Sequence, residues 1–573
     1  MWCDTCKVQT NDTKCSVCGS ITEPYPPTEI YWCDKCNTPI IESITNDNHR
    51  CPICGEVIKY LGKDLRPVFP EERLLIEILL GQPFMWKDSS VWANNSRYYI
   101  DGKAKNISIS QFKEANIQHV IESLEINKPK NNYARFDKSI QMFIDANKQR
   151  LIDIKNEAYD FINIEAAKYR PEQLVISFSG GKDSTVVADL VVRALSNPSI
   201  VHIYGDTTLE FPTSYEYVSR FRRDNPKAIL RVAKNRDQDF YSVCEDIGPP
   251  ARMMRWCCTM FKTGPITRVL NSLYRDEHIL TFYGIRKCES TTRSKYDRVS
   301  SGADVKIQKQ TVASPIFYWN DIDIWLYMLG EEVDFNDAYR LGYDRVGCWC
   351  CPNNNIRAQF LSQIYMPEQY KKWRDYLISF ARSIGKPDAE EYVDGGWWKA
   401  RQGGNGLNAA EDVKIKFTNC TAEENAKIYN LNKAIGDDFY DLFVPFGRVS
   451  KELGRKLINE IIVLDLKTNV PIISIQPFSQ ADYEHAVKIK TMNVKSHEDL
   501  QRMIGYQIRK YNACRKCLKC ESVCDHNAIT ITKDVYRINP NKCRRCKKCV
   551  SAKYLDGGCL MDRFLKVKKE ENK

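Results

Sequence analysis

The stretch SFSGGKDST, residues 177–185, follows the apolar run Leu174-Val175-Ile176. Gly180 and Gly181 let the backbone turn sharply and approach a ligand closely. Amides there, and at the start of a following helix, make an anion cradle at the positive helix end. Lys182 adds a mobile cation beside Asp183, and Ser179 and Ser184 add hydroxyls. The GxxxxGK[ST] spacing of a Walker loop is absent, so a phosphate-binding loop of another kind is expected.

Thiols are the second chemical resource. There are 24 cysteines, grouped in CxxC and CxxCxxC runs, which predicts metal thiolates in a reducing compartment rather than disulfides. Residues 1–60 carry the pairs Cys3/Cys6, Cys15/Cys18, Cys33/Cys36 and Cys51/Cys54. Paired in order, they predict two four-cysteine zinc ribbons, with zinc in a structural role. Cys257-Cys258 and Cys348-xx-Cys351 supply four more thiolates, enough for an iron–sulfur cluster or for zinc. The last segment carries Cys514, Cys517, Cys520, Cys524, then Cys543, Cys546, Cys549 and Cys559.

The loop matches SGGxDS, the PP-loop of the ATP-pyrophosphatase superfamily. With DTTLEFPTS (206–214), RWCCTMFKTGPI (255–266), GIRKCESTTR (284–293), SPIFYWNDIDIWLYM (314–328) and YRLGYDRVGCWCCP (339–352), residues 170–360 resemble the phosphoadenylyl/adenylyl sulfate reductase family. The resemblance implies that Ser179, Gly180, Gly181, Lys182, Asp183 and Ser184 bind a nucleotide, together with Asp206, Gly284, Arg286 and Arg293. It implies catalytic roles for Lys182, Asp183 and Arg286, and for Lys262 between substrate and cluster. It also implies one [4Fe–4S] cluster on Cys257, Cys258, Cys348 and Cys351. Two departures stand out. Lys182 and Asp183 are intact, as in enzymes that cut ATP, and the family's ECGLH-like segment with its nucleophilic cysteine is missing. Cys288 or Cys350 would have to replace it. The C-terminal cysteines resemble the bacterial two-cluster ferredoxin, in which the fourth cysteine of each run crosses over. That implies one [4Fe–4S] cluster on Cys514, Cys517, Cys520 and Cys559, and another on Cys543, Cys546, Cys549 and Cys524. Basic neighbours of these ligands, from Arg515 to Lys548, would raise the cluster potentials or dock an acidic donor.

These residues need elements to hold them. LVISFS, SIVHIYGD and HILTFYGIR read as buried strands alternating with helical stretches. This predicts an α/β domain with a parallel sheet and helices on both faces. The expected organisation is zinc ribbons at 1–60 and a small β-rich module at 61–130. A PP-loop domain at 131–390 follows, then an α+β segment of unassigned role at 391–505 and a ferredoxin-like α+β domain at 506–573. Asp101-Gly102 predicts a hairpin turn, and apolar residues from Phe143 to Phe161 predict a helix over 135–169. IIVLDLKTNVPIISIQPF (461–478) predicts a second hairpin.

A net charge of +11 favours an anionic partner. No apolar run approaches the roughly 20 residues of a membrane span, and the N-terminus lacks a signal pattern, so a cytoplasmic location is expected. The combined reading is a reductase that converts phosphoadenylyl or adenylyl sulfate to sulfite. Three [4Fe–4S] clusters and two zinc ions would serve it, with electrons from a low-potential donor. The competing reading is an ATP-dependent sulfurtransferase acting on tRNA or DNA.

Overall fold

Leu174–Phe178 (β1) is apolar on both faces, as a strand covered twice must be. Alternate side chains split between two cores. Leu174, Ile176 and Phe178 face one, with Val187, Leu190 and Trp325; Val175 faces the other, with Ile203, Leu270 and Tyr274. The structure, a computed structural model, describes residues 1–567 apart from 113, 131–132, 276, 302–306, 308 and 481–482.

β1 is followed by α1 (Lys182–Ala194), β2 (Val201–Asp206), α2 (Pro212–Asp224) and β3 (Ile229–Lys234). Next come α3 (Phe240–Ile247), α4 (Gly264–Tyr274), β4 (Ile279–Phe282), the short β5 (Val299–Ser300), β6 (Gln310–Ala313) and α5 (Asp321–Gly330). The strand order is β3-β2-β1-β4-β6-β5. All neighbours pair in parallel except β5, which runs antiparallel to β6 on the edge. α1 and α5 pack in one core and α4 in the other, so helices cover both faces of a parallel sheet. The loops leaving the carboxyl ends of β1, β2 and β4 meet along one edge, where ligands of open α/β sheets bind.

The N-terminal segments dock onto this domain. A three-stranded sheet (Thr28–Cys33, Thr38–Ser43, Lys59–Gly62) and a four-stranded one (Arg66–Pro67, Val91–Asn94, Arg97–Ile100, Lys103–Asn106) lie side by side. Their Trp32, Leu65, Phe69 and Trp92 share one core with Phe143, Ile176 and Trp325. Packing therefore continues across positions 60 and 130. Asp101-Gly102 forms the expected hairpin turn with φ of 48° and 77°. The expected helix over 135–169 is instead two helices, Arg135–Ala146 and Lys148–Ala166. Asn147 breaks it: its side chain accepts from the Ile41 amide at 2.7 Å and donates to the Pro39 carbonyl at 3.0 Å. A tertiary bond to the neighbouring sheet outweighs local helical periodicity there.

Beyond the sheet domain, six antiparallel strands between Phe417 and Thr491 form one sheet, in which Ile461–Leu464 and Pro471–Gln480 make the expected hairpin. Helix His497–Ala513 leads from it into the last cysteine-rich segment, and Ile504 and Ile508 share a core with Val463, Cys520 and Cys549. Among the described residues, no helix is long and apolar enough to cross a membrane.

Candidate functional site

The loop after β1 folds on its own hydroxyls. Gly180 holds φ +73°, open to glycine at little cost. Ser184 Oγ donates to the Gly181 carbonyl at 2.9 Å and accepts from the Ser179 amide at 3.1 Å. The Lys182 amide, first in α1, donates to the Tyr339 hydroxyl at 2.9 Å. Gly284, at the end of β4, presses on this turn: a Cβ there would stand 2.7 Å from the Asp183 carbonyl carbon and 2.8 Å from the Ser184 nitrogen. Glycine is needed at 284 because two backbones touch.

Four charges then interlock. Lys182 Nζ lies 3.1 Å from Asp321 and 3.4 Å from Asp183. Arg286 bonds Asp183 at 2.6 Å and Asp321 at 2.9 Å. Lys182 and Arg286 are buried, and pairing repays that cost. Burial would favour the neutral acid at Asp183, yet Arg286 and Lys182 hold it down to about 2. Burial also works against charge on Lys182, but Asp183 and Asp321 keep it firmly protonated. Arg293 ion-pairs with Glu289 and faces Arg345 and Asp183. Four cations thus meet the carboxylates Asp183, Asp321 and Glu289, and Asp64 adds a fourth carboxyl beside Asp321.

A fifth group comes from the N-terminal segment. Asp64, two residues past the strand Lys59–Gly62, accepts from the Asp321 amide at 2.9 Å and the Ile322 amide at 3.0 Å. It caps α5 and so fixes the carboxylate that holds Lys182 and Arg286. Burial, then Asp321, pushes Asp64 up to about 7. Sequence reasoning missed Asp64, Asp321, Tyr339 and Arg345. Asp321, Tyr339 and Arg345 lie inside motifs already singled out, whereas nothing local distinguishes Asp64.

Asp206 stands at the carboxyl end of β2, outside that network. It accepts from the Thr208 amide at 2.8 Å and the Tyr215 hydroxyl at 3.0 Å, and pairs with Lys234 at 3.1 Å. The next residues lead to the thiols. Thr207 Oγ1 lies 3.3 Å from Cys348 Sγ, and the Trp349 amide donates to the Leu209 carbonyl at 2.9 Å. Cys257 and Cys258 come from the turn Trp256–Cys258, which continues as a π-helical turn Thr259–Thr263 before α4. Such widened turns recur at functional sites. The Cys257 thiol faces Cys258, Cys348 and Cys351. Arg255 donates to Cys258 Sγ at 3.3 Å, and Lys262 faces Cys258, Cys348 and Glu210.

The replacement nucleophiles fare differently. Cys350 is buried in an apolar core and its thiol is pushed well up by burial, so it is removed as a nucleophile. Cys288 is exposed beside the charge network and accepts from Arg286 at 3.3 Å. Burial raises it, as do Asp64, Asp321 and Asp183, against the pull of Arg286. It rests as a thiol.

Two kinds of cysteine set are present. Cys3, Cys6, Cys15 and Cys18 have all ligand atoms within 4.8 Å of one another, as do Cys33, Cys36, Cys51 and Cys54. The sulfurs of Cys3 and Cys18 and of Cys33 and Cys54 lie 3.5 Å apart, those of Cys6 and Cys15 3.9 Å and those of Cys36 and Cys51 3.7 Å. A tetrahedral zinc with bonds of roughly 2.3 Å needs edges of about 3.8 Å, so each set fits one ion. Among the described residues, no three ligand atoms of the remaining sets come that close. Cys517 faces Cys559, Cys520 and Cys514, and Cys549 faces Cys520, Cys524 and Cys543, the crossed grouping. Cys524 also faces Cys546. Buried Lys510 lies between the two groups and donates to the Cys549 carbonyl at 2.5 Å. Cys520 also faces Cys549, so the two groups adjoin there.

The C-terminal segment seats directly on the central thiols. Trp256, Met260, Phe261 and Cys350 share one apolar core with Cys517 and Cys559. A Cβ on Gly264 would lie 2.6 Å from Leu518 Cβ. Arg268 of α4 pairs with Glu521 at 2.8 Å. Lys399, from the segment of unassigned role, is buried against the same site, where it donates to the Asn354 carbonyl at 2.9 Å and faces Cys351.

Residues 173–354 match the model of the phosphoadenosine phosphosulfate reductase domain. An uncharacterized protein of Methanocaldococcus jannaschii is 30% identical over 293 residues, 50% of this chain and 58% of that one. A second from the same organism is 31% identical over 272 residues, 46% of this chain and 61% of that one. The chain thus spans about three-fifths of these archaeal relatives. Adenosine 5′-phosphosulfate reductase 1 of Bacillus subtilis is 26% identical over 192 residues, 33% of this chain and 78% of that enzyme. A phosphoadenylyl-sulfate reductase structure from Candida auris, in complex with phosphate, covers 37% of this chain and 96% of that one at 17% identity and a TM-score of 0.28. Loop, sheet and family match agree, and residues 173–354 form a PP-loop domain of the phosphoadenosine phosphosulfate/adenylyl sulfate reductase family.

Proposed function

We propose that the chain reduces a nucleotide-activated sulfate, phosphoadenylyl or adenylyl sulfate, to sulfite. One observation carries this reading. The loop from Asp206 to Glu210 joins the nucleotide edge of the sheet to Cys348, and the C-terminal cysteine segment packs against the turn bearing Cys257 and Cys258. Anion site, thiol set and second thiol segment form one continuous series.

In this reading the loop amides, Lys182, Arg286 and Arg293 bind the phosphosulfate, with arginine forks suited to its oxygens. Asp183 and Asp321 hold the two buried cations in place. Cys257, Cys258, Cys348 and Cys351 hold one [4Fe–4S] cluster, and the crossed C-terminal sets hold two more. When bound, the clusters supply one-electron transfer. The ribbons hold structural zinc. The sulfur–oxygen bond to phosphate breaks, the phosphate oxygen keeps the bonding pair, and two electrons take sulfur(VI) to sulfur(IV). Sulfite and AMP, or adenosine 3′,5′-bisphosphate, leave. Lys262, beside Cys258 and Cys348, offsets the charge that builds between thiols and substrate.

The second reading is ATP-dependent sulfur insertion into nucleic acid. The intact and well-anchored Lys182-Asp183 pair favours it. Anaerobic assays with reduced methyl viologen separate the two. Sulfite from either adenylyl sulfate supports reduction. Nucleic-acid-dependent pyrophosphate from ATP, with no sulfite, supports insertion.

A further inference from the structure

We propose that the face around Cys546 is the electron entry port of the chain, and that it docks an acidic one-electron carrier protein. This inference rests on the reductase reading above. Of the eight C-terminal thiols, Cys546 is the exposed one; Cys517, Cys520, Cys549 and Cys559 are buried and the others half-buried. The group of Cys524, Cys543, Cys546 and Cys549 therefore reaches solvent. In the group of Cys514, Cys517, Cys520 and Cys559, Cys517 and Cys559 lie in one core with Trp256 and Phe261, and Cys514 and Cys520 pack in the core of Ile504 and Ile508. The exposed group is the one farther along the series from the nucleotide loop.

The surface around Cys546 has one sign of charge. Residues 541–553 read NKCRRCKKCVSAK, six cations and no carboxylate. Lys542, Arg544 and Lys547 are exposed, and among the described residues no carboxylate stands within ion-pair distance of them or of Lys553. Nearby carboxylates are already engaged: Asp525 pairs with Lys548 at 2.5 Å and Asp441 with Arg537 at 3.4 Å. Lys547 even holds φ +60°, where glycine would be less costly. Opposite charge on a partner speeds encounter and sets orientation. An exposed electron-transfer ligand inside a cationic ring thus fits an anionic protein that carries a flavin or iron–sulfur centre. One electron would leave that centre, oxidising it by one, and pass to the [4Fe–4S] cluster that Cys524, Cys543, Cys546 and Cys549 would hold, reducing it by one. No bond is made or broken. Two such transfers match the two electrons that sulfite formation consumes.

The test is stopped-flow reduction of the full, iron-loaded chain, followed by cluster absorbance. The donors are a fully reduced acidic flavodoxin and, as a cationic control, reduced methyl viologen. Raising salt should cut the flavodoxin rate by about tenfold or more, as for steered association. The triple variant K542E/R544E/K547E should cut it by about another tenfold without slowing methyl viologen. Iron content checks that the variant folds, and K542Q/R544Q/K547Q should fall between it and the parent. A flavodoxin rate indifferent to salt and to charge reversal would overturn the proposal. So would loss of single-stranded RNA binding in the triple variant at an unchanged flavodoxin rate. The reductase reading fails separately, if methyl viologen reduces the chain and neither adenylyl sulfate yields sulfite.

Discussion

In the proposed reading, nucleotide binding turns on Lys182. It is buried, fully charged and held by two carboxylates at the start of α1. Lys182→Ala removes a charged hydrogen-bond donor, so nucleotide affinity should fall about ten- to hundredfold by calorimetry; an unchanged affinity would place the ligand elsewhere. Asp64 carries a second prediction. Its folded value is raised from 3.8 to about 7. The folded state therefore holds this proton longer than the unfolded chain does, and the associated stability is full below the unfolded value and lost as pH rises through about 7. An anionic nucleotide favours the neutral form, so affinity should weaken as pH rises through 7, by up to about tenfold per unit from this one proton. Asp64→Asn should flatten that dependence, and a profile unchanged in the variant would remove Asp64 from the site. Gly180, Lys182 and the cysteine pairs were readable because their chemistry is local. Asp64 was not, because its partner Asp321 lies 257 residues away.

At the scale of elements, spacing reveals which residues form a set but not where the set docks. Four CxxC pairs foretold two ribbons because a knuckle is short. The break at Asn147 was invisible because its cause is a bond to residues 39 and 41, more than 100 positions back. The contact of Gly264 with Leu518 was equally hidden, since a glycine before proline reads only as a helix start. That contact yields a prediction. A Cβ at 264 would also meet the Thr259 carbonyl oxygen at 2.8 Å, so Gly264→Ala must push the C-terminal segment away from the turn bearing Cys257 and Cys258. Methyl-viologen-driven sulfite release should drop severalfold while nucleotide affinity and iron content hold. An equal loss of nucleotide affinity would show that the segment's seat is not what was disturbed.

For the molecule as a whole, the strands, the loop after β1 and the two N-terminal four-cysteine sets were foreseen from patterning. The joining of the parts was not. The N-terminal three-stranded sheet reaches the charge network at the loop after β1 through Asp64 and Asp321, and Lys399 carries the segment of unassigned role to the central thiols. Such joins depend on single residues far apart in sequence. Three clusters and two ribbons predict about twelve iron and two zinc atoms per chain in anaerobically prepared protein. Far less iron, with zinc in its place, would contradict the assignment of the wider sets. The most direct measurement is anaerobic turnover with phosphoadenylyl sulfate, adenylyl sulfate and ATP in parallel, with reduced methyl viologen as donor and sulfite and pyrophosphate followed together. Sulfite from at least one of the two sulfates, with no pyrophosphate from ATP, is the predicted result. Pyrophosphate from ATP with no sulfite from either would contradict it.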